Sequence, residues 1–273
     1  MNGAKVGAHL RAFALLLGAA ALMATHAVQA ETRGGRMAPS SAGAKNAASK
    51  PSGKLAEVNG ANLHYEIVGR GRPVVLVQLD PRAKQLGSTL VSALAKGRRL
   101  IAVDLQELGQ SGDVDGPARV ETMADAIVEL IAKLELDRPD VMGYSLGGRV
   151  ALQIAIRHPK SLGKLVVVSA PMRRSAYYPG IQVKEDFDDS RDVAQIEAAT
   201  LIVAADADIF PAAHAVEFFG LLGGGARDPG RDGSGRPPSQ LAILPGLTHH
   251  TIVSSPGLAA MVLAFLDDRS PAM

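Results

Sequence analysis

Strand-like and helix-like stretches alternate along most of this chain, and that alternation restricts its fold more than any other feature of the sequence. The strand-like stretches are "ANLHYEIVG" (61–69), "PVVLVQL" (73–79), "RLIAVDL" (99–105), "DVMGY" (140–144), "KLVVVSA" (164–170), "ATLIVAAD" (199–206) and "QLAILPG" (240–246). Several are unbroken apolar runs, the pattern of strands covered on both faces. Helix-like segments lie between and after them at 84–96, 119–135, 146–157, 212–222 and 256–267. In "RVETMADAIVELIAKLEL" (119–136), Met123, Ile127, Leu130, Ile131 and Leu134 fall on one helical stripe, and Pro211 and Pro256 stand at plausible helix starts. Such alternation predicts an α/β fold, a mostly parallel, doubly wound sheet with helices on both faces.

The N-terminus does not fit that pattern. Lys5 and Arg11 precede the apolar run "AFALLLGAAALMA" (12–24), and "AVQA" (27–30) places small residues before Glu31. This reads as a secretory signal peptide over residues 1–30, cleaved after Ala30. The apolar run is short for a membrane span, so an uncleaved anchor is the alternative and not the first expectation. The expected location is therefore exported, periplasmic or secreted, with no stable membrane association after cleavage. Residues 31–54 carry one large apolar side chain, Met37, and cannot bury enough surface to offset their ordering entropy, so a disordered linker is expected there. The folded domain should run over 55–273.

Composition narrows the function classes. Cleavage at Ala30 removes Lys5 and Arg11 from 29 basic residues and leaves 27, balanced against 27 acidic ones, so no charge excess points to nucleic acid. Aromatic residues make up 4% and tryptophan is absent, which disfavours a base- or sugar-stacking surface. No cysteine occurs, which rules out disulfides and a thiol nucleophile. No dense cluster of histidine and carboxylate has metal-ligand spacing, so neither metal nor cofactor is called for.

Chemistry concentrates at "DVMGYSLGGRVALQ" (140–153), where Ser145 stands between Gly143 and Gly147. Gly-x-Ser-x-Gly alone is a weak signal in a chain with 29 glycines. Its context is stronger, because Ser145 falls at the carboxyl end of a strand and opens a helix, where sites of such sheets gather. A serine hydroxyl becomes an effective nucleophile when a histidine accepts its proton and an acid orients that histidine. Downstream, "LIVAADADIF" ends a strand with Asp206 and Asp208, and "LAILPGLTHH" ends the next with His249 and His250. Either aspartate and either histidine could serve. His64, His158 and His214 read as surface or packing residues.

On "GYSLGGRVALQIAIRHP" and "LPGLTHH", residues 55–273 resemble the α/β-hydrolase fold family, in its broad group of esterases, lactonases, carbon–carbon hydrolases and cofactor-free haloperoxidases. The resemblance implies Ser145 as nucleophile, Asp208 as acid and His249 as base, with the N–H groups of Leu146 and Asp80 forming the oxyanion hole and no cofactor. Three departures stand out. Gln78-Leu79 stands where the family has His-Gly, and the charged Asp80 that follows would oppose an oxyanion unless turned away or paired. "ELGQS" (107–111) keeps only part of Gly-His-Gly-x-Ser. Thirty-odd residues, a cap remnant at about 171–199, stand in place of a sizeable helical cap. Gln78, Leu79, Tyr144, Met172, Tyr177 and Tyr178 are expected to line the pocket, and 223–239 to form a long surface loop.

The expected function is a serine hydrolase acting on a small-molecule carboxylic ester or related acyl compound, slowed by the altered oxyanion loop. The competing expectation is a non-catalytic binding protein on the same scaffold.

Overall fold

Asn59-Gly60 turns the chain back on itself with φ of 48° and 76°, the conformation that joins twisted antiparallel strands through two residues. In the computed structural model, which describes residues 53–78, 87–105, 119–183 and 185–268, this turn pairs β1 (Lys54–Val58) with β2 (Ala61–Val68). There follow β3 (Arg72–Gln78), α1 (Gly87–Leu94), β4 (Arg98–Asp104), α2 (Val120–Lys133), β5 (Asp140–Tyr144), α3 (Leu146–Arg157) and β6 (Leu165–Val168). The chain continues through α4 (Ser190–Val193), β7 (Thr200–Ala207), α5 (Ala212–Leu221), β8 (Gln240–Thr248) and α6 (Pro256–Asp267).

The strands form one eight-stranded sheet in the order β1-β2-β4-β3-β5-β6-β7-β8. β2 is antiparallel to both neighbours, and every pairing from β4 to β8 is parallel. This is the mostly parallel, doubly wound sheet that the alternation predicts. β1 is an addition to that reading, since "KLAEV" is too short and too exposed to announce itself by pattern.

Alternation along the strands divides the core in two. Val75, Val77, Ile101, Val103, Val141 and Val167 face α2, α3 and α5, where Ile127, Leu130, Val150, Ile154 and Phe218 meet them. Val74, Leu76, Leu100, Met142, Val166 and Val168 face the other way, against Leu90 and Leu94 of α1 and Leu258, Val262 and Phe265 of α6. Met123, Ile127, Leu130 and Ile131 of the α2 stripe are all buried. α3 is buried from Gly147 through Ala155, which makes it the central helix of its face.

Two local features bear on the site. β7 and β8 lose register between Ala205 and Ala207, because β8 advances from Leu244 to Thr248 over the same interval. Between β6 and β7 the chain forms a strap with a 3₁₀ turn at Arg174–Ala176, a bridge between Arg173 and Asp188, and α4. Polar pairs tie the strap down: Gln153 Nε2 donates to Asp189 Oδ1 at 2.9 Å, Arg149 Nη1 to Glu185 Oε2 at 2.9 Å, and Arg173 grips Glu217 at 2.5 and 2.6 Å.

Candidate active site

β5 ends at Tyr144 and α3 begins at Leu146, so the chain must reverse within a single residue. Ser145 takes φ 54° and ψ −122° to do so, a conformation that costs a non-glycine residue on the order of 1–3 kcal/mol. The flanking glycines make the turn possible. A Cβ on Gly143 would lie 2.0 Å from the Gly147 carbonyl oxygen, and one on Gly147 would lie 2.3 Å from that of Val77. The serine is then fixed through its own backbone, with its N–H donating to Val168 O at 2.9 Å and its carbonyl accepting from Arg149 N at 3.1 Å. Leu146, as the first residue of α3, has an N–H without an intrahelical acceptor, at the end of the helix dipole that favours negative charge.

His249 follows β8 directly and is buried. Its Nε2 lies 3.1 Å from Ser145 Oγ and its Nδ1 lies 2.8 Å from Asp208 Oδ1. An ionised carboxylate can only accept, so Nδ1 carries the proton and Nε2 presents its lone pair to the serine hydroxyl. Thr248 and Thr251 hold the loop by reciprocal bonds, with Thr248 N donating to Thr251 Oγ1 at 2.8 Å and Thr251 N to Thr248 Oγ1 at 3.3 Å.

Burial pushes the Asp208 carboxyl up, yet hydrogen bonds outweigh it and hold the group below its usual range. The donors are His249, the Ser169 hydroxyl at 2.5 Å, Ile209 N at 2.8 Å and Ala205 N at 3.2 Å. Asp208 is therefore an anion buried among four donors. Asp206, two residues away, is turned elsewhere and accepts from Gly246 N at 2.9 Å and Leu247 N at 3.2 Å. His250 is exposed and meets the His249 ring edge-on, at 5.3 Å between centroids. Of the two candidate aspartates and two candidate histidines, the structure brings Asp208 and His249 to Ser145.

The pocket residues divide. Met172 is a correction: it is fully buried in the core that faces α2 and α3 and lines no pocket. Its position is fixed because Met172 N donates to His214 Nε2 at 3.1 Å and Met172 O accepts from Asp189 N at 2.8 Å. Tyr144 is half-buried, and its hydroxyl donates to the His249 carbonyl at 2.7 Å. Tyr177 is half-buried, and burial, with Asp208 nearby, raises its phenol. Tyr178 is largely exposed, with its N–H on Ile209 O. Gln78 closes β3, while Leu79, Asp80 and "ELGQS" at 107–111 lie outside the described residues, as do the signal-peptide and most of the linker assignments.

Sequence reasoning missed Ser169, which sits at the end of β6 with φ 47°. A polar residue closing the apolar run "KLVVV" was the available signal. His158 does close α3, but its Nε2 also meets Asp125 Oδ1 at 2.6 Å. Among the described residues no group of three or more histidine or carboxylate side chains could hold a metal ion.

This sheet, with a serine on a strained strand-to-helix turn and its partners at the ends of β7 and β8, has the α/β-hydrolase fold. The family model described as alpha/beta hydrolase fold matches residues 82–201. The AB hydrolase superfamily protein YisY of Bacillus subtilis is 32% identical over 133 residues, which cover 46% of this chain and 49% of that protein. A soluble epoxide hydrolase of Corynebacterium sp. is 32% identical over 113 residues, 41% of this chain and 40% of the relative. This chain thus spans less than half the length of these curated relatives. Among solved structures, a meta-cleavage product hydrolase from Pseudomonas fluorescens superposes with a TM-score of 0.64 at 18% identity, covering 80% of this chain and 98% of its own.

Proposed function

We propose that this chain is a serine hydrolase that cleaves carboxylic esters or related acyl compounds. One observation carries the reading: an unbroken hydrogen-bond path from Ser145 Oγ through His249 to an anionic Asp208, with spacings of 3.1 and 2.8 Å. Ser145 Oγ attacks the acyl carbon while Nε2 takes its proton, and Asp208 holds the ring and balances the imidazolium. Leu146 N–H, joined by Asp80 N–H, holds the negative charge that develops on the carbonyl oxygen. His249 returns the proton to the leaving alcohol, and water then releases the acyl group by the same steps in reverse roles. Hydrolase activity in general, without the choice of nucleophile or substrate, is supported by the match to the family model and by the relatives named as hydrolases.

The strap over residues 169–199 is short, which favours small or exposed acyl groups over long buried ones. Export is part of the same proposal, and mature protein from the periplasm or medium is expected to begin at Glu31.

The direct test is a fluorophosphonate probe. Labelling of the wild type at Ser145, abolished in Ser145→Ala, is the expected result. Failure of the folded wild type to react overturns the reading.

A further inference from the structure

Tyr144 occupies the x position immediately before the nucleophile, where its backbone ends β5. Its side chain crosses to the other half of the site. The hydroxyl donates to the carbonyl of His249 at 2.7 Å, and its ring stands 5.1 Å from the His249 ring at a tilt of 35°. Burial, with Asp208 nearby, pushes the phenol up to about 12, so the group remains a hydrogen-bond donor at any pH where a hydrolase works.

The two ends of this bond belong to different parts of the chain, 105 residues apart. One end is covalently next to Ser145. The other is the backbone of the residue whose Nε2 must lie on Ser145 Oγ. Thr248 and Thr251 brace the loop internally, and Ile252 and Val253 anchor it to the core against α1 and α6. None of these contacts refers to the nucleophile. Among the described residues, the Tyr144 hydroxyl makes the one side-chain hydrogen bond, besides the Ser145–His249 pair itself, between the β5–α3 turn and the loop after β8.

We propose that Tyr144 is a positioning residue that sets the distance between the serine hydroxyl and the histidine, and not a residue that recognises substrate. The proposal rests on the serine-hydrolase reading above. Its physical basis is that proton transfer from Oγ to Nε2 needs near-contact geometry, and a displacement of about 1 Å there costs roughly 10²-fold in rate. A bond that ties the histidine loop to the residue beside the nucleophile resists that displacement. The ring contact alone does not, because two tilted rings in van der Waals contact slide at little cost.

The test compares wild type, Tyr144→Phe, Tyr144→Leu and Ser145→Ala for fluorophosphonate labelling rate and for kcat and KM on p-nitrophenyl acetate, with melting temperature read in parallel. Tyr144→Phe keeps the ring and loses the donor. It is expected to lower kcat and the labelling rate about tenfold, leave KM within twofold, and melt within a few degrees of wild type. Tyr144→Leu should be at least as slow as Tyr144→Phe. If Tyr144→Phe matches wild type in kcat and labelling while wild type is labelled at Ser145, the positioning role is overturned and the hydrolase reading stands. If KM rises and kcat is unchanged, Tyr144 contacts substrate and the proposal is again wrong. If folded wild type is not labelled, both readings fall together.

Discussion

Ser169 Oγ donates to Asp208 Oδ2 at 2.5 Å, from a backbone with φ 47° at the end of β6. Asp208 thereby keeps its charge in a buried site, since the Ser169 hydroxyl is one of the donors that outweigh desolvation. A hydrogen bond to a charged group contributes about 1.5–3 kcal/mol. Ser169→Ala is therefore expected to lose about 1–2 kcal/mol at neutral pH. The pH dependence has a definite sign. Asp208 has a depressed folded value, so its contribution is present above the unfolded carboxylate range and is lost as pH falls through the folded value. The deficit of Ser169→Ala should accordingly shrink as pH falls below about 4. Urea unfolding at several pH values measures it, and a pH-independent deficit would count against this role.

Asp208 and Asp206 offer a matched pair of variants. Asp208→Asn presents an amide where His249 Nδ1 needs an acceptor, and a tautomer error of that kind costs about 10⁴-fold in kcat in serine proteases. A loss of roughly 10³–10⁴ in labelling rate is expected. Asp206→Asn should cost tenfold or less, because Asp206 touches amides of β8 and not the histidine. Equal losses in the two variants would contradict the assignment of Asp208 as the acid.

The turn glycines predict stability effects that need no activity assay. Gly147→Ala sets a methyl group against the Val77 carbonyl, where neither backbone can give way cheaply. A loss of about 3 kcal/mol or more, or failure to fold, is expected. Gly220 on α5 has open space around its position. Gly220→Ala should stabilise by about 0.5–1 kcal/mol. Thermal melts of the two variants check the contrast.

Asp189 makes the strap sensitive to pH. Burial raises its carboxyl to about 6 against the lowering effects of Arg149 and Gln153, and its Oδ2 has no hydrogen-bond partner among the described residues. A raised carboxyl means that the folded form binds more protons than the unfolded form between about pH 4 and 6, so this group lowers stability as pH rises through that window. Asp189→Asn keeps the size of the side chain and removes the titration. Its melting temperature relative to wild type is expected to be higher at pH 7 than at pH 4.5. A difference that does not change with pH would reject the assignment.

Much of this architecture was legible in the sequence because local pattern and tertiary role coincide. Apolar, valine-rich runs as short as "PVVLV" and "KLVVV" have the pattern of strands covered on both faces, and the α2 stripe has that of a helix facing a core. Ser145, Asp208 and His249 could be placed at strand ends by the same reasoning. β1 was not anticipated because its five residues alternate weakly, although Asn59-Gly60 was a hairpin signal in plain view. Met172 was misplaced for a different reason. Its position in the strap suggested the pocket, but burial depends on how residues 185–189 fold back onto α3. The partners of Ser169 and of the Tyr144 hydroxyl were hidden for the same cause, since they lie 39 and 105 positions away.

The loss of register between β7 and β8 has a consequence for anyone who would transplant this site. Where β7 advances from Ala205 to Ala207, β8 advances from Leu244 to Thr248, so two β8 residues have no place in the ladder. Gly246 adopts φ 70° there, and the orphaned N–H groups of Gly246 and Leu247 are taken up by the Asp206 carboxylate. Asp206 thus substitutes for a stretch of missing strand, and the surplus residues set how far the chain has travelled when it reaches His249. The spacing of the histidine from the sheet is therefore recorded as a residue count in β8 and a side chain in β7. A chimaera that exchanged either strand alone would inherit the serine, aspartate and histidine with the wrong ruler.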